Sequence, residues 1–183
     1  SQSSAFTLLF ASLFGSLINL PLFQVRSDPP SPSQLPPLGR FWRMPQLEYT
    51  GHTVVALNVG GGVIPAAFSF YLLSHNPVTV AQALTGIGIV ALVSYLFSRP
   101  IPGLGIGMPI LVAPVCAALA AILINSQQSA PLAYISGTMG VLVGADLLHL
   151  KDIRRLGAPI AAIGGAGTFD GIFITGIVAV LLA

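Results

Sequence analysis

Six long stretches of the chain are almost free of charged side chains, and each is about as long as a membrane-spanning helix. A helix that crosses the hydrocarbon core of a bilayer needs about 20 mostly apolar residues. Such runs cover residues 5–24, 56–73, 79–97, 109–125, 131–150 and 159–183. They predict an all-α fold, with a single membrane domain over 1–183 that forms a polytopic transmembrane helix bundle of about six spans.

The small number of charges excludes several classes of soluble protein. Charged residues make up 7% of the chain, whereas soluble domains carry roughly 25%. The seven basic residues form no dense cluster, so we expect the lipid bilayer and no nucleic acid as a partner. The single cysteine, Cys116, cannot form an intrachain disulfide. These features exclude a soluble enzyme, a nucleic-acid-binding protein and a disulfide scaffold.

The basic residues lie only in alternate links between the apolar runs. The links at 25–55, 98–108 and 151–158 contain all of them, namely Arg26, Arg40, Arg43, Arg99, Lys151, Arg154 and Arg155. Because basic residues accumulate on the cytoplasmic side, these three links are predicted to be cytoplasmic. We therefore expect a multi-pass protein of a prokaryotic inner or plasma membrane, or of an internal membrane.

The first link and the first run need separate comment. The link is rich in proline and is predicted to be extended, with short β pairing around 42–57 left open. The run at 5–24 has no basic region before it, so we do not expect a cleaved signal peptide. Whether a further helix precedes Ser1 stays open.

Glycine and proline interrupt several of the predicted helices. The second run contains Asn58, Gly60, Gly61, Gly62 and Pro65, and the fourth contains Pro109 and Pro114. Small residues allow close packing of membrane helices, and we expect Gly137, Gly140 and Gly144 to form such a packing stripe. The apolar stretch 100–109 is either a tight turn or a shallow re-entrant loop.

Two acidic residues lie inside the apolar runs. Asp146 and Asp170 are the only charged side chains there, and a central Asp costs roughly 2.5–3.5 kcal/mol to insert. Such a residue indicates a functional site, although a hydrogen-bonded structural role is the alternative. Asn58 and His149 are supporting candidates, and an interfacial polar role is the alternative for His149. No cluster has metal-ligand spacing, so we expect neither a metal nor a cofactor.

The glycine run at 163–167 decides whether the two acids can meet. On regular helices their depths would differ by roughly 8–9 Å. An irregular 163–167 segment would bring Asp170 toward Asp146. Asp146 lies about 200° around the helix from Gly144, so it is predicted to face a neighbouring helix or a wet cleft rather than the glycine stripe.

Four long motifs resemble an uncharacterised family of bacterial and archaeal membrane proteins. They are Leu13-Phe-Gly-Ser-Leu-Ile-Asn-Leu-Pro21, Asn58-Val-Gly-Gly-Gly-Val-Ile-Pro65, Gly144-Ala-Asp146 and Gly164-Gly-Ala-Gly-Thr-Phe-Asp170-Gly-Ile-Phe173. The resemblance covers nearly the whole chain. It implies a polytopic membrane protein of a domain-of-unknown-function family, with no established activity.

A second, more remote resemblance concerns the two acids. The chain is similar to the GxGD intramembrane aspartyl proteases, which place one Asp on each of two neighbouring helices, the second after a Gly-x-Gly. This resemblance implies that Asp146 and Asp170 are catalytic and that Gly165 and Gly167 support them. In this chain Thr168 and Phe169 stand between Gly167 and the acid.

Three functions remain open from the sequence. The first is an intramembrane aspartyl hydrolase in which Asp146 and Asp170 share a proton and cut a transmembrane peptide. The second is a proton- or cation-coupled transporter in which the same acids change protonation and Asn58 lines the path. The third is an accessory or assembly subunit of a larger membrane complex, with the acids as structural residues.

Overall fold

The chain folds into a mixed α/β structure. The computed structural model describes residues 2–28, 51–101, 105–155, 157–165 and 168–181. In these ranges the order of helices and strands is α1 Gln2–Gly15, β1 Asn19–Arg26, β2 His52–Asn58, α2 Ile64–His75, α3 Val80–Phe97, β3 Arg99–Ile101, β4 Gly105–Gly107, α4 Val112–Ile124, α5 Ser129–Val141, β5 Ile160–Ile163 and α6 Phe169–Leu181. Two π-helical turns, Val59–Val63 before α2 and Leu142–Leu147 after α5, and the 3₁₀ helices Ser126–Gln128 and Leu150–Arg155 complete them.

The prediction of an all-α bundle of six spans is therefore wrong. In the run at 5–24, the helix ends at Gly15 and the chain continues as strand β1. The runs at 56–73 and 159–183 also include strand residues, in β2 and β5. A hydropathy pattern cannot distinguish a short buried strand from a piece of an apolar helix, because both are continuous apolar runs. Three of the six predicted spans failed for this reason, and the run at 109–125 failed because its helix, Val112–Ile124, has only 13 residues.

Three strands form the larger sheet, in the order β1-β2-β5. β1 pairs antiparallel with β2, and β2 pairs parallel with β5. Residues around β2 are well buried, with Thr53 and Val55 fully enclosed. The Thr53 hydroxyl donates a 2.6 Å hydrogen bond to the carbonyl of Ala158, which fixes the chain just before β5. The sheet thus joins segments that are about one hundred residues apart in sequence.

The helices pack around α5. Helices α2, α3, α4 and α6 all contact it, and its fully buried side chains include Leu132, Ser136 and Thr138. The predicted glycine stripe packs as expected: an added Cβ would meet Thr175 at Gly137, Val90 at Gly140 and the backbone of Ala91 at Gly144. Small residues therefore let α3 and α6 approach the central helix closely.

The outer surface of the helices is apolar. Phe14 on α1 is 66% exposed, Leu92 on α3 is 60% exposed and Leu123 on α4 is 85% exposed. By contrast, buried polar side chains such as Asn58 and Asp146 lie inside. Contiguous exposed apolar surfaces of this kind indicate contact with lipid or with other proteins.

Two helical segments are long and apolar enough to cross a membrane. They are Val80–Phe97 and Ser126–Leu147, with mean hydropathies of 1.9 and 1.2. At 1.5 Å per residue they are about 27 and 33 Å long, close to the thickness of a bilayer core. The shorter apolar helices within the described residues are Phe6–Gly15, Val59–His75, Val112–Ile124 and Phe169–Val178.

The links predicted from sequence have different outcomes. Within 98–108, β3 and β4 pair antiparallel, and the connecting residues 102–104, on which the choice between a tight turn and a re-entrant loop depends, lie outside the described part of the chain. Within 25–55, the part at 29–50, which includes most of the predicted proline-rich link together with Arg40 and Arg43, lies outside it as well. The β pairing left open around 42–57 is present at His52–Asn58.

Candidate functional site

A polar cavity of about 520 Å³ lies where the three-stranded sheet meets helices α1, α5 and α6. Its polar lining side chains are Ser16, Asn19, Asn58, Asp146, Thr168 and Asp170. The cavity also contacts the glycine backbone at Gly164 and Gly165. In a chain with so few charged residues, this is a marked concentration of oxygen and nitrogen atoms.

Strand register places these polar groups side by side. Asn19 is the Cα partner of Asn58 across β1 and β2. Leu57 is the partner of Ile163 in the last pair of the parallel strands β2 and β5, so the next residues, Asn58 and Gly164, lie together at the end of this pair. In α/β proteins, ligands bind outside the carboxyl ends of parallel strands. The cavity occupies this position.

Asn58 fixes the first of the two strand ends. Its Nδ2 donates to the carbonyl of Ser16 at 2.7 Å and to Oδ1 of Asn19 at 2.9 Å. Its Oδ1 accepts a 2.8 Å hydrogen bond from the backbone N–H of Gly61, which caps the π-helical turn before α2. The side chain therefore ties the α1–β1 turn to the start of the next helix.

Asp146 occupies the π-helical turn at the end of α5 and is 5% exposed. Its Oδ2 accepts a 2.7 Å hydrogen bond from the backbone N–H of Gly164. The Thr168 hydroxyl donates to the same carboxylate, 3.1 Å from Oδ2 and 3.3 Å from Oδ1. Both donors are neutral, and no Lys or Arg of the described residues forms an ion pair with the carboxylate. The carboxylate of Asp146 thus faces the end of β5 and the residue before α6.

Glycine is required at the two positions where the strand ends touch. Gly164 has φ of 69°, in the left-handed region that favours glycine. A Cβ on Gly61 would collide with the carbonyl oxygen of Gly164, so the two backbones are in direct contact. The sequence left open whether 163–167 is irregular; its described part, 163–165, is not helical, and residues 166 and 167 lie outside the described residues.

Asp170 also lines the cavity but differs from Asp146. It lies in the first turn of α6 and its side chain is exposed. Thr168, which contacts Asp146, is two residues earlier, a separation of about 200° around a helix. No hydrogen bond joins the carboxylates of Asp146 and Asp170 in the described structure. The two acids therefore share a cavity without forming a hydrogen-bonded pair.

The supporting candidates are distributed unevenly. Gly165 lines the cavity together with Asn58, and Gly167 lies outside the described residues. His149 is 6% exposed and does not line the cavity. Its Nδ1 donates to the carbonyl of Gly144 at 3.1 Å, and its ring packs on Tyr95 with a centroid separation of 4.7 Å. His149 thus joins the π-helical turn to α3.

Three residues of the site were not predicted in their roles from the sequence: Thr168 as a partner of Asp146, and Asn19 and Ser16 as partners of Asn58. The sequence nevertheless contains a pattern from which their proximity could have been predicted. Both 53–65 and 160–170 read as a β-branched or apolar strand, a glycine run and then a helix. Two such units with parallel strands bring their glycine runs to the same sheet edge.

Within the described ranges, no group of three or more His, Cys, Asp or Glu side chains is placed to hold a metal ion.

Comparison with known proteins identifies the family. The family model described as "Protein of unknown function (DUF1614)" matches residues 13–182, so the chain belongs to the DUF1614 family. No curated protein and no solved structure matches the chain. Membership agrees with the resemblance to a family without established activity, and the comparisons give no support to the resemblance to aspartyl proteases.

Proposed function

We propose that this member of the DUF1614 family is an integral membrane protein that binds protons or small cations at Asp146 and couples them to transport. The observation that carries the proposal is a buried carboxylate that has two neutral hydrogen-bond donors and no cationic side chain among its described neighbours. Because no described residue neutralises this carboxylate, we assign a proton or a small cation as its positive partner.

The energetic reason is the cost of an isolated buried charge. Buried charges in proteins are paired or bind metal ions, because an unpaired ion loses its hydration without compensation. Hydrogen bonds from Gly164 and Thr168 hold the Asp146 carboxylate in place but do not neutralise it. A proton or a small cation that enters the cavity supplies the missing charge.

The cavity provides a route to this group. Asp170 is exposed and Asp146 is buried, and both line the same cavity. Asn58 and Asn19 contribute amide oxygens and nitrogens to its wall. A proton or a cation that enters the cavity can therefore contact the exposed acid first and the buried acid second.

Two features support the membrane setting. Exposed aromatic and aliphatic side chains cover α1, α3 and α4, including Phe10, Leu96 and Leu119. The two long apolar segments, Val80–Phe97 and Ser126–Leu147, match the bilayer in length. In this proposal they cross the membrane, and the shorter helices pack around α5 in the same apolar layer. Irregular backbone is tolerated at such depth where it lines a cavity.

Charge distribution supports an orientation. β1 and β3 both contact the 3₁₀ helix Leu150–Arg155, which brings Arg26, Arg99, Lys151 and Arg154 to one end of the molecule. All four side chains are exposed. Both candidate spans have their carboxyl ends there. By the positive-inside rule this cationic end is cytoplasmic.

Flux measurements in proteoliposomes test the proposal. The purified chain should carry a proton or cation current that depends on an imposed pH gradient, and Asp146→Asn should abolish it. Asp152→Asn is the matched control, because Asp152 lies on the 3₁₀ helix outside the cavity. A current that survives in Asp146→Asn, or no current in the unchanged protein, would contradict the proposal.

A membrane aspartyl hydrolase is the second candidate, and one observation favours it: Asp146 and Asp170 line one cavity. In that mechanism one carboxylate activates water and the other protonates the substrate carbonyl. Cleavage of a fluorogenic apolar helical peptide that is lost in both Asp146→Asn and Asp170→Asn would support it. Equal cleavage by the unchanged protein and both variants would remove it.

A further inference from the structure

A second depression lies beside the polar cavity, on the apolar exterior. This lipid-facing groove of about 680 Å³ is formed by the end of α3, the β3–β4 hairpin and the residues before α4. Most of its walls are apolar, from Leu96, Phe97, Ile101, Met108 and Ile110. It shares Gly105, Ile106 and Asp170 with the polar cavity. The groove therefore connects the apolar surface with the acidic cavity.

Two opposite charges line this groove. Arg99 follows the carboxyl end of α3, and Asp170 lies in the first turn of α6. Both side chains are exposed, and neither forms an ion pair with a described residue. The remaining lining residues carry no charge. An occupant that complements the groove has an apolar chain, an anionic group for Arg99 and a cationic group for Asp170.

We infer that the lipid-facing groove binds a zwitterionic phospholipid whose headgroup carries a phosphate and a primary ammonium. The phosphate contacts the guanidinium of Arg99, which is suited to phosphate oxygens. The ammonium donates hydrogen bonds to the carboxylate of Asp170. One acyl chain lies along the side chains of Phe97, Ile101 and Ile110, which are exposed to the same apolar surroundings.

This headgroup fits the two charges better than the common alternatives. An anionic lipid satisfies Arg99 but brings a second negative charge toward Asp170. A quaternary ammonium headgroup has both charges but no N–H to donate to a carboxylate. The inference depends on the membrane setting proposed above and does not depend on proton or cation transport at Asp146.

Competitive lipid binding tests the inference directly. The full chain in detergent is mixed with equal amounts of phosphatidylethanolamine, phosphatidylcholine and phosphatidylglycerol that have identical acyl chains, and bound lipid is counted by native mass spectrometry. We expect phosphatidylethanolamine to be retained roughly two- to fivefold more than either competitor, as fits one exposed ion pair. Equal retention of the three lipids, or preference for phosphatidylglycerol, would overturn the inference.

Three variants and two control variants assign the effect to the groove. Arg99→Gln should lower the retention of all three lipids. Lys151→Gln is its control, because Lys151 is an exposed cation outside the groove. Asp170→Asn should remove the preference for phosphatidylethanolamine over phosphatidylglycerol. Ile110→Trp should fill the groove and lower lipid retention. Leu84→Trp is its control, because it adds the same side chain to the exposed face of α3, outside the groove. If each control lowers retention as much as its partner, the groove is not the binding site.

The outcome is separable from that of the transport proposal. Lipid preference is measured in detergent with no gradient, so it is unaffected by loss of flux. Asp146→Asn should keep the preference for phosphatidylethanolamine, because Asp146 does not line the groove. If Asp146→Asn loses the flux but keeps the preference for phosphatidylethanolamine, both conclusions are supported. Lipid preference without any flux in the unchanged protein would leave the groove assigned and remove transport.

Discussion

The backbone N–H of Gly164 donates a 2.7 Å hydrogen bond to Oδ2 of Asp146. This bond joins the π-helical turn after α5 to the turn between β5 and α6, and thus connects the central helix with the edge of the sheet. Asp146 is therefore part of the fold as well as the proposed binding group. Substitutions that keep or remove its acceptor atoms separate these two roles.

Replacing Asp146 by alanine should destabilise the protein, whereas replacing it by asparagine should not. Alanine removes the acceptor of the Gly164 N–H, and a buried donor left without a partner costs about 1–3 kcal/mol. The asparagine carbonyl can still accept from Gly164, and its amide can donate to the oxygen of Thr168. Thermal unfolding in detergent measures the difference, with about 2–4 °C expected per kcal/mol. Equal destabilisation by both substitutions would contradict this expectation.

Replacing Thr168 by valine tests the second hydrogen bond to Asp146. Thr168 is 2% exposed, and valine keeps its shape but lacks the hydroxyl. Hydrogen bonds to charged groups contribute about 1.5–3 kcal/mol, so the unfolding midpoint should fall accordingly. Thr85→Val is the control, because the Thr85 hydroxyl bonds only to the carbonyl of Ala81 on an exposed helix surface. A change no larger than that of the control would mean that Thr168 does not stabilise the carboxylate.

The helical core could be predicted from local sequence, but the sheet could not. The run at 79–97 corresponds closely to α3, Val80–Phe97, because one long apolar segment is enough to specify it. The strands depend on partners that are remote in sequence: β2 pairs with β5 across about one hundred residues. Apolar strand residues such as Ala56 and Ala161 therefore looked like helix, and three of the six predicted spans failed because of that confusion.

The site shows the same division between local and remote information. Asp146 and Asp170 could be selected because a charge in an apolar run is costly. The direction of Asp146 was predicted from regular helical geometry, whereas the residue lies in a π-helical turn. Its partners Gly164 and Thr168 could not be assigned, because they depend on where β5 ends and on the left-handed turn at Gly164.

Adding one methyl group at Gly144 should destabilise the helix packing. A Cβ there would collide with the backbone of Ala91 on α3, which cannot move aside as a flexible side chain can. Overpacking of this kind typically costs about 1–3 kcal/mol. Gly88→Ala is the matched control on α3: an added Cβ there meets nothing within 4 Å, so the helix should gain about 0.5–1 kcal/mol. Thermal midpoints that shift in the same direction would refute the packing argument.

Replacing Asn58 by aspartate should disrupt the turn between α1 and β1. Aspartate retains an acceptor for the Gly61 N–H but loses the donors to Ser16 and Asn19, and places a carboxylate against two acceptor oxygens. We expect a loss of about 2–3 kcal/mol, from two hydrogen bonds and a desolvated charge. Asn76→Asp removes a single donor bond, to Leu72, and serves as the control. A smaller midpoint shift in Asn58→Asp than in the control would contradict the assigned role.

Spin labels on α3 and on the cationic end should report different surroundings if the chain crosses a membrane. In a Cys116→Ser background, a label at Leu92 replaces a side chain of α3 that is 60% exposed and lies five residues before the end of the helix. Oxygen concentrates in lipid, so this label should collide with oxygen more often than with a water-soluble nickel complex. A label at Lys151, exposed at the cationic end, should show the reverse. Power-saturation measurements in liposomes give both collision rates. If Leu92 proves more accessible to nickel than to oxygen, then α3 does not face lipid, and its exposed apolar side chains must instead be covered by another protein.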